Sequence, residues 1–219
     1  MLKIAPSILS ADFSDLRSAL KICSSGKADY VHIDVMDNHF VPNLTIGPVV
    51  VKSLRSVSQS YFDVHLMVTN PENIIDAFSK AGANGITFHI EASEKPDELI
   101  DKIKSKGKDV GISVKPQTPL ETILPFINKI DRVLIMSVEP GFGGQKFIKS
   151  SLKKINTLRN LLIQYNRNNK VEIEVDGGIK IENAKSVIDA GANAIVVGSG
   201  IFKASDPEKQ IKAFKQLGN

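Results

Sequence analysis

Short apolar runs alternate with amphipathic stretches along the chain. The apolar runs are rich in β-branched side chains, and this pattern predicts buried strands. The predicted strands are Lys3–Leu9, Tyr30–Met36, Tyr61–Met67, Gly85–His89, Asp109–Val114, Arg132–Ser137, Val171–Val175 and Ala194–Val197. Between the strands, apolar residues recur at helical spacing. This spacing predicts helices over Phe13–Cys23, Pro71–Ala81, Pro96–Lys106, Leu120–Ile127, Phe147–Tyr165, Ile181–Ala190 and Pro207–Leu217.

Eight strands that alternate with helices predict an α/β fold, a single (β/α)8 TIM barrel over residues 1–219. The strands are expected to be parallel because a crossover segment joins each strand to the next. An open, doubly wound sheet is the alternative, but no G-x-G-x-x-G motif follows the first strand. In TIM barrels the active site lies at the C-terminal ends of the strands, so functional side chains are expected there.

The second predicted strand carries unusual side chains at alternate positions. His32, Asp34 and Met36 are two residues apart, so they point to the same face of the strand. Burying an imidazole and a carboxylate side by side costs free energy unless their polar atoms have partners. An isolated pair of this kind is more often satisfied by hydrogen bonds than used in catalysis. Similar patterns on other strands favour the functional interpretation.

The third and seventh predicted strands repeat this arrangement. Asp63, His65 and Met67 share one face of the third strand, and Asp176 ends the seventh. The seventh strand of an eight-stranded barrel lies across the lumen from the second and third. Two imidazoles and two carboxylates are therefore expected to converge on one divalent metal ion, with Zn²⁺ favoured and Fe²⁺, Mn²⁺ or Co²⁺ as alternatives. The predicted ligands are His32, Asp34, His65 and Asp176.

Glycine-rich loops follow the last three predicted strands. They contain Gly141–Gly144, Gly177–Gly178 and Gly198–Ser199. A single glycine often makes only a tight turn, but TIM barrels frequently bind phosphate at the loops after strands seven and eight. We therefore expect Gly177, Gly178, Gly198 and Ser199 to hold a phosphate group of the ligand. The loop Gly141–Gly144 is expected to close over it, and Ser7 to offer a hydroxyl near the barrel mouth.

The composition limits the classes of function. The 219 residues are 42% hydrophobic and 24% charged, as in ordinary globular proteins. The net charge of +4 comes largely from lysines at helical spacing, without the arginine-rich tracts or interleaved aromatics of nucleic-acid grooves. No apolar run approaches the roughly 20 residues that span a membrane. The single cysteine, Cys23, cannot form an internal disulfide, and the N-terminus lacks the features of a signal peptide, so a cytoplasmic location is expected.

The predicted site favours proton transfer at a carbon atom. Asp34 and Asp176 are expected on opposite sides of the metal, where one removes a proton and the other returns one to the opposite face. The metal would act as a Lewis acid that stabilises an enediolate. Met36, Met67 and Met136 lie at strand ends and are candidates for its apolar cover, although methionine as ordinary core filler is the alternative. Inversion next to a carbonyl is epimerisation, and this reaction needs no redox cofactor.

Long segments of the chain resemble the ribulose-phosphate 3-epimerase family. These segments are Ala5–Phe13, His32–Asn43, Asp63–Val68, Met136–Gln145 and Val175–Ile179. The resemblance covers essentially the whole chain. It implies a ribulose-phosphate-binding barrel that interconverts D-ribulose 5-phosphate and D-xylulose 5-phosphate in the pentose phosphate pathway. It also implies the same four metal ligands, the two aspartates as acid and base, and a homo-oligomer, commonly a dimer or a hexamer.

The resemblance further implies a set of substrate contacts. The matching positions are Ser7, His65, Gly141, Phe142, Gly143, Gly144, Asp176, Gly177, Gly178, Gly198 and Ser199. One departure lies after the fifth strand, where Lys115 precedes a proline and some family members carry asparagine. His39 and His89 also belong to family-like segments. We interpret both as structural, because neither shares the alternation of the expected ligands.

Three other functions are compatible with parts of the pattern. A related barrel epimerase that acts on a ketohexose 6-phosphate, such as allulose 6-phosphate, would share the metal set and differ in pocket depth. A phosphate-binding barrel decarboxylase would carry an Asp-x-Lys-x-x-Asp arrangement, but no lysine accompanies His65 at the end of the third strand. A non-catalytic phosphosugar-binding barrel would not need both Asp34 and Asp176.

Overall fold

In a computed structural model that describes residues 2–218, eight parallel strands form one sheet around a central lumen. The strands are β1 (Lys3–Pro6), β2 (Tyr30–Met36), β3 (Tyr61–Met67), β4 (Gly85–His89), β5 (Asp109–Val114), β6 (Arg132–Met136), β7 (Glu172–Asp176) and β8 (Ala194–Val197). Their order is β1-β8-β7-β6-β5-β4-β3-β2, and a single bridge between Ser7 and His32 joins β1 to β2. The barrel predicted from the alternation is confirmed, nearly closed, with its seam beside His32.

Helices cover the outside of the barrel. They are α1 (Leu16–Ser25), α2 (Pro48–Arg55), α3 (Ile75–Ala81), α4 (Pro96–Ser105), α5 (Ser151–Gln164), α6 (Ile181–Asp189), α7 (Ser199–Phe202) and α8 (Pro207–Gln216). Three of them begin with proline, whose fixed φ and missing N–H suit the first helical position. Asp206 caps α8 by accepting a hydrogen bond from the backbone N–H of Lys209. The helix α3 stops at Gly82, whose φ of 111° favours glycine.

The first strand is shorter than its apolar pattern predicts. It ends at Pro6 and not at Leu9, because the chain turns at Ser7 into a short 3-10 helix. The side chain of Ser7 caps this turn by accepting a hydrogen bond from the backbone N–H of Leu9. The prediction also omits α2 and α7, which are only eight and four residues long.

The predicted helix Leu120–Ile127 is wrong. The segment forms two 3-10 turns, Leu120–Thr122 and Leu124–Phe126, that follow one another without a continuous α-helix. Pro125 explains the break because it lacks a backbone N–H and restricts the residue before it. The spacing of apolar residues alone does not predict this break in the helix.

The two faces of each strand have different chemistry. On β2, Val31, Ile33 and Val35 are at most 4% exposed and pack under the helices. The alternate residues His32 and Asp34 face the lumen and are equally buried. Each fully buried apolar side chain stabilises the fold by about 1.5–3 kcal/mol, so the outer apolar layer offsets the cost of a polar lumen.

Among residues 2–218, the helices lack the combined length and apolar character that a bilayer crossing requires.

Candidate active site

Four polar side chains converge at the C-terminal end of the barrel. One nitrogen or oxygen atom from each of His32, Asp34, His65 and Asp176 lies within 4.8 Å of the others. His32 and His65 have no exposed surface, Asp34 is 3% exposed, and Asp176 is partly exposed at the mouth. The register of β2 and β3 explains the proximity of Asp34 and His65, because these residues are directly paired across the two strands.

His32 presents one ring nitrogen to this cluster and uses the other for support. Its Nδ1 lies 2.6 Å from Oδ2 of Asp63, which also pairs with the guanidinium of Arg132. Its Nε2 lies 3.3 Å from Oδ1 of Asp34 and has no hydrogen-bond partner among the described residues. Burial disfavours the imidazolium, but the charges of Asp34 and Asp63 hold the pKa of His32 well above its usual value. The space between Nε2 and Asp34 therefore attracts positive charge.

His65 faces the same carboxylate through its other ring nitrogen. Its Nδ1 lies 3.3 Å from Oδ1 of Asp34, while its Nε2 lies 2.9 Å from Nε2 of His89. Burial lowers the pKa of His65 despite the nearby Asp34, so this imidazole is neutral at neutral pH. Burial also lowers the pKa of His89, to about 4.

The two aspartates of the cluster differ in their affinity for protons. Burial by itself would raise the pKa of Asp34, but the neighbouring His32 holds it well below the usual range. The hydroxyl of Ser7 donates to its Oδ2 at 2.6 Å. At Asp176, burial and the neighbouring charge of Asp34 raise the pKa to about 7. One carboxylate is thus ionised while the other holds its proton up to neutral pH, an arrangement suited to paired base and acid.

This donor set fits a divalent metal ion. Two imidazole nitrogens and two carboxylates are ligands that Zn²⁺ accepts in tetrahedral sites. The strongest observation is the buried Nε2 of His32, which has no partner among residues 2–218 and is aimed at Asp34. His32 also shows the outer support of metal-binding histidines, since its second nitrogen contacts the carboxylate of Asp63.

A second group of acidic residues and histidine lies deeper in the lumen. His32, Asp63 and Glu174 have ligand atoms within 4.8 Å of one another. The guanidinium of Arg132 already supplies the positive charge there, since its Nε lies 3.3 Å from Oε2 of Glu174 and it pairs with Asp63. Burial raises the pKa of Glu174 well above its usual value, in spite of Arg132. This group therefore holds the Nδ1 side of the His32 ring, away from the four proposed ligand atoms.

Above the four polar groups lies a cavity at the barrel mouth. The residues predicted to contact substrate line it, apart from His65, which is buried below. The lining includes Ser7, Asp34, Asp176, Gly141, Phe142, Gly143, Gly144, Gly177, Gly178, Gly198 and Ser199. The three candidate cover residues, Met36, Met67 and Met136, also line the cavity and are at most 3% exposed.

The glycine after β7 has a steric reason. Gly177 has a φ of 119°, and a Cβ atom there would lie 2.5 Å from the side chain of Val138. The next residue, Gly178, has a φ of 63° and would bring a Cβ atom against the backbone of Phe147. These positions admit only glycine without rearrangement, so the loop after β7 keeps its backbone close to the cavity.

The sequence pattern predicts only a structural role for His89, outside the alternation of the expected ligands. The structure corrects the second point, because His89 is fully buried on the lumen face of β4 and contacts His65. Ile86 and Phe88 pack on the outer face of that strand, so the alternation of side chains places His89 on the opposite face, toward the lumen. His39, the other histidine interpreted as structural, is exposed, and its ring contacts the backbone oxygen of Asp37 in the loop after β2. The sequence pattern does not indicate the supporting contacts of Arg132, Glu174 and Glu91.

The fold and the mouth cluster define a TIM-barrel enzyme whose candidate site combines two acids with two imidazoles. The Ribulose-phosphate 3 epimerase family model matches residues 3–202. A ribulose-phosphate 3-epimerase of Bacillus subtilis is 46% identical over 215 residues, covering 98% of this chain and 99% of that protein. The corresponding Schizosaccharomyces pombe protein is 45% identical over 216 residues, covering 97% of this chain and 92% of that protein. The chain therefore belongs to the ribulose-phosphate 3-epimerase family.

Solved structures with lower identity share the fold. KGPDC from Streptococcus mutans matches with a TM-score of 0.70 at 15% identity, covering 99% of this chain and 97% of that chain. A 3-hexulose-6-phosphate synthase matches with a TM-score of 0.69 at 20% identity, covering 99% of this chain and 98% of that chain. These similarities support the barrel architecture.

Proposed function

We propose that this enzyme interconverts D-ribulose 5-phosphate and D-xylulose 5-phosphate by moving a proton at C3. Family membership and the names of the relatives support the substrate. Asp34 and Asp176 have carboxylate oxygens within 4.8 Å of each other and both line the cavity at the barrel mouth, and this is the observation that carries the proposed chemistry. Inversion at a carbon requires a base on one face and an acid on the other.

The two carboxylates divide the proton transfer. Asp34, whose pKa is held low, removes the C3 proton from one face, and electrons move into an enediolate. Asp176, whose pKa is about 7, returns a proton to the opposite face and completes the inversion. In the reverse reaction the two residues exchange roles. Ser7 holds Asp34 in position through its hydrogen bond to Oδ2.

A divalent metal would be held by His32, Asp34, His65 and Asp176, with Zn²⁺ favoured over Fe²⁺, Mn²⁺ or Co²⁺. When bound, the metal supplies positive charge that stabilises negative charge developing on substrate oxygen. The methionines Met36, Met67 and Met136 exclude water from the reacting carbon.

The glycine-rich loops bind and enclose the substrate in this proposal. Backbone N–H groups at Gly177, Gly178, Gly198 and Ser199 hold the phosphate. The loop Gly141–Gly144 closes over the sugar, and Phe142, which is 55% exposed, becomes covered. A cytoplasmic location, a homo-oligomer and a single catalytic domain over residues 1–219 remain predictions.

A coupled assay tests the proposal. D-ribulose 5-phosphate and allulose 6-phosphate are supplied in parallel, with product detection in D₂O. We expect turnover of the ketopentose phosphate with deuterium incorporated at C3, and much slower turnover of the ketohexose phosphate. Preferred turnover of allulose 6-phosphate would assign the chain a different substrate. Product that carries no deuterium at C3 would contradict a scheme in which one group removes the proton and another supplies a new one.

A further inference from the structure

A line of buried polar groups runs from the candidate metal site to the outside of the barrel, behind His65. His65 contacts His89 through the two Nε2 atoms at 2.9 Å, and Nδ1 of His89 lies 3.1 Å from Oε2 of Glu91. The imidazoles stack with ring centroids 5.0 Å apart. Both imidazoles have no exposed surface, and the side chain of Glu91 is 21% exposed. The proposed reaction uses neither His89 nor Glu91.

The outer end of this line is anchored by the loop after β5. The backbone N–H of Lys115 donates to Oε1 of Glu91 at 2.8 Å, and the hydroxyl of Thr118 donates to the same oxygen. This leaves Oε2 to accept from the ring of His89. An ionised carboxylate can only accept hydrogen bonds, so Nδ1 of His89 must carry a proton.

The proton on Nδ1 of His89 determines where the proton of His65 lies, because both imidazoles are neutral. A neutral imidazole has one N–H and one lone pair, so Nε2 of His89 is an acceptor. The facing Nε2 of His65 must then donate, which places the lone pair of His65 on Nδ1. That nitrogen lies 3.3 Å from Asp34, inside the ligand cluster.

We propose that Glu91 and His89 are positioning residues that fix His65 as the Nε2–H tautomer and so present its Nδ1 to the metal. Without them, His65 is free to carry its proton on Nδ1 and donate to Asp34. That proton occupies the position that a metal ion needs. The inference rests on the proposed metal-binding function, and it assigns a role to two residues outside the ligand set.

A one-atom substitution tests the direction of the relay. In the Glu91→Gln variant, the two donors Lys115 N–H and Thr118 O–H keep the amide oxygen at the position of Oε1. The amide nitrogen then faces Nδ1 of His89 and can only donate. The hydrogen bonds therefore reverse: His89 donates from Nε2, and His65 carries its proton on Nδ1. The matched control is Glu94→Gln, which removes the same charge from the same loop, where Glu94 is exposed.

The first readout is the tautomer of each imidazole in metal-free protein, from long-range ¹H–¹⁵N NMR spectra. The chain has only four histidines, so the signals can be assigned by substitution. We expect a proton on Nε2 of His65 in the wild type and the control, and on Nδ1 in the Glu91→Gln variant. A wild-type His65 that carries its only proton on Nδ1 would overturn the inference, and so would identical tautomers in the variant and the wild type.

The second readout is zinc affinity, measured by competition with a chromophoric chelator. We expect the affinity to fall roughly ten- to a hundredfold in Glu91→Gln and to stay unchanged in Glu94→Gln, as for other outer partners of metal-binding histidines. His89→Phe should cause a similar loss, and His89→Gln, whose amide oxygen can accept from His65, should restore part of it. Equal affinities in wild type and Glu91→Gln would refute the relay. A wild type that binds no zinc, with the expected tautomers, would instead refute the proposed metal function.

Discussion

The two imidazoles of the candidate site are equally buried but have opposite electrostatic surroundings. Behind His32 lie a carboxylate and a guanidinium, Asp63 and Arg132. Behind His65 lies a second neutral imidazole, His89. Against the effect of burial, the carboxylates raise the pKa of His32, whereas burial lowers the pKa of His65. Equal burial therefore does not give the two imidazoles the same pKa, because the neighbouring carboxylates outweigh burial at His32 and do not outweigh it at His65.

The groups that support His32 and those that support His65 also differ in how much their loss should destabilise the fold. The ion pair of Asp63 and Arg132 is sealed in the lumen, with side chains 0% and 6% exposed. Removing one member would leave a buried charge without a partner. Glu91 lies at the edge of the barrel, where water screens part of the loss. We expect loss of the support behind His32 to destabilise the fold strongly, and loss of the support behind His65 to destabilise it less.

The largest loss of activity is expected at Asp34, which contacts both imidazoles. Asp34 lies 3.3 Å from a nitrogen of each imidazole, so Asp34→Asn removes the shared partner and the proposed base together. We expect kcat to fall by about 10²–10⁴, with the far-ultraviolet circular dichroism spectrum unchanged. Asp176→Asn should behave in the same way. The control Asp189→Asn, at an exposed helix position, should keep full activity. Normal turnover in Asp34→Asn would refute the two-base scheme.

The next largest effect tests the support of His32. Arg132→Met leaves Asp63 and Glu174 without their cation, and we expect the free energy of unfolding to fall by about 3–5 kcal/mol. Urea denaturation measures this change. Lys129→Met is the matched control, because Lys129 forms an exposed pair with Asp97 and should cost at most about 1 kcal/mol. Equal losses in the two variants would show that the buried ion pair is not the stronger support.

Removal of the metal should destabilise the wild type. With free Zn²⁺ a hundredfold above its dissociation constant, binding stabilises the native state by about 2.7 kcal/mol. For a chain of this size the melting temperature should therefore fall by roughly 5–10 °C when a chelator is added, as scanning calorimetry can measure. Chelation should have little effect on Asp34→Asn. A wild type with the same melting temperature in zinc and in chelator would count against the metal site.

The smallest effect is expected on the His65 side. Burial would raise the pKa of Glu91, but hydrogen bonds from His89, Thr118 and the backbone of Lys115 lower it to about 2. Because the folded pKa lies below the unfolded value of about 4.5, this carboxylate stabilises the native state above pH 4.5. The contribution is lost as pH falls from 4.5 towards 2.

Glu91→Gln should therefore lower the free energy of unfolding by roughly 1–2 kcal/mol at pH 7, after allowance for solvent screening. Urea denaturation at a series of pH values should show the difference from wild type shrinking below pH 4.5. Glu94→Gln should show no such pH-dependent difference. A constant gap between wild type and Glu91→Gln down to pH 3 would mean that the carboxylate charge is not the cause.

The sequence pattern was sufficient to predict the barrel and the clustering of the four proposed ligands. Alternation on β2 and β3 places His32, Asp34 and His65 on one face whatever the details of packing. The relay was not predictable in the same way, because the contact of Glu91 with His89 depends on how the loop after β4 folds against Thr118. The lumen position of His89 was encoded in the outward-facing Ile86 and Phe88, but the strand is short.

Other differences have local causes. Pro125 interrupts apolar spacing that otherwise predicts a helix, and Ser7 ends β1 early through its own side chain. Arg132 is at the beginning of β6, where a charged residue is usually exposed. Its burial depends on Asp63 and Glu174 from two other strands, which local sequence cannot reveal.

Diffraction from zinc-soaked crystals at the zinc absorption edge tests the central claim most directly. We predict one anomalous peak per chain, about 2.0–2.2 Å from Nε2 of His32, Nδ1 of His65 and a carboxylate oxygen of Asp34 and Asp176. Absence of a peak in this cluster, or zinc bound only at other residues, would contradict the account.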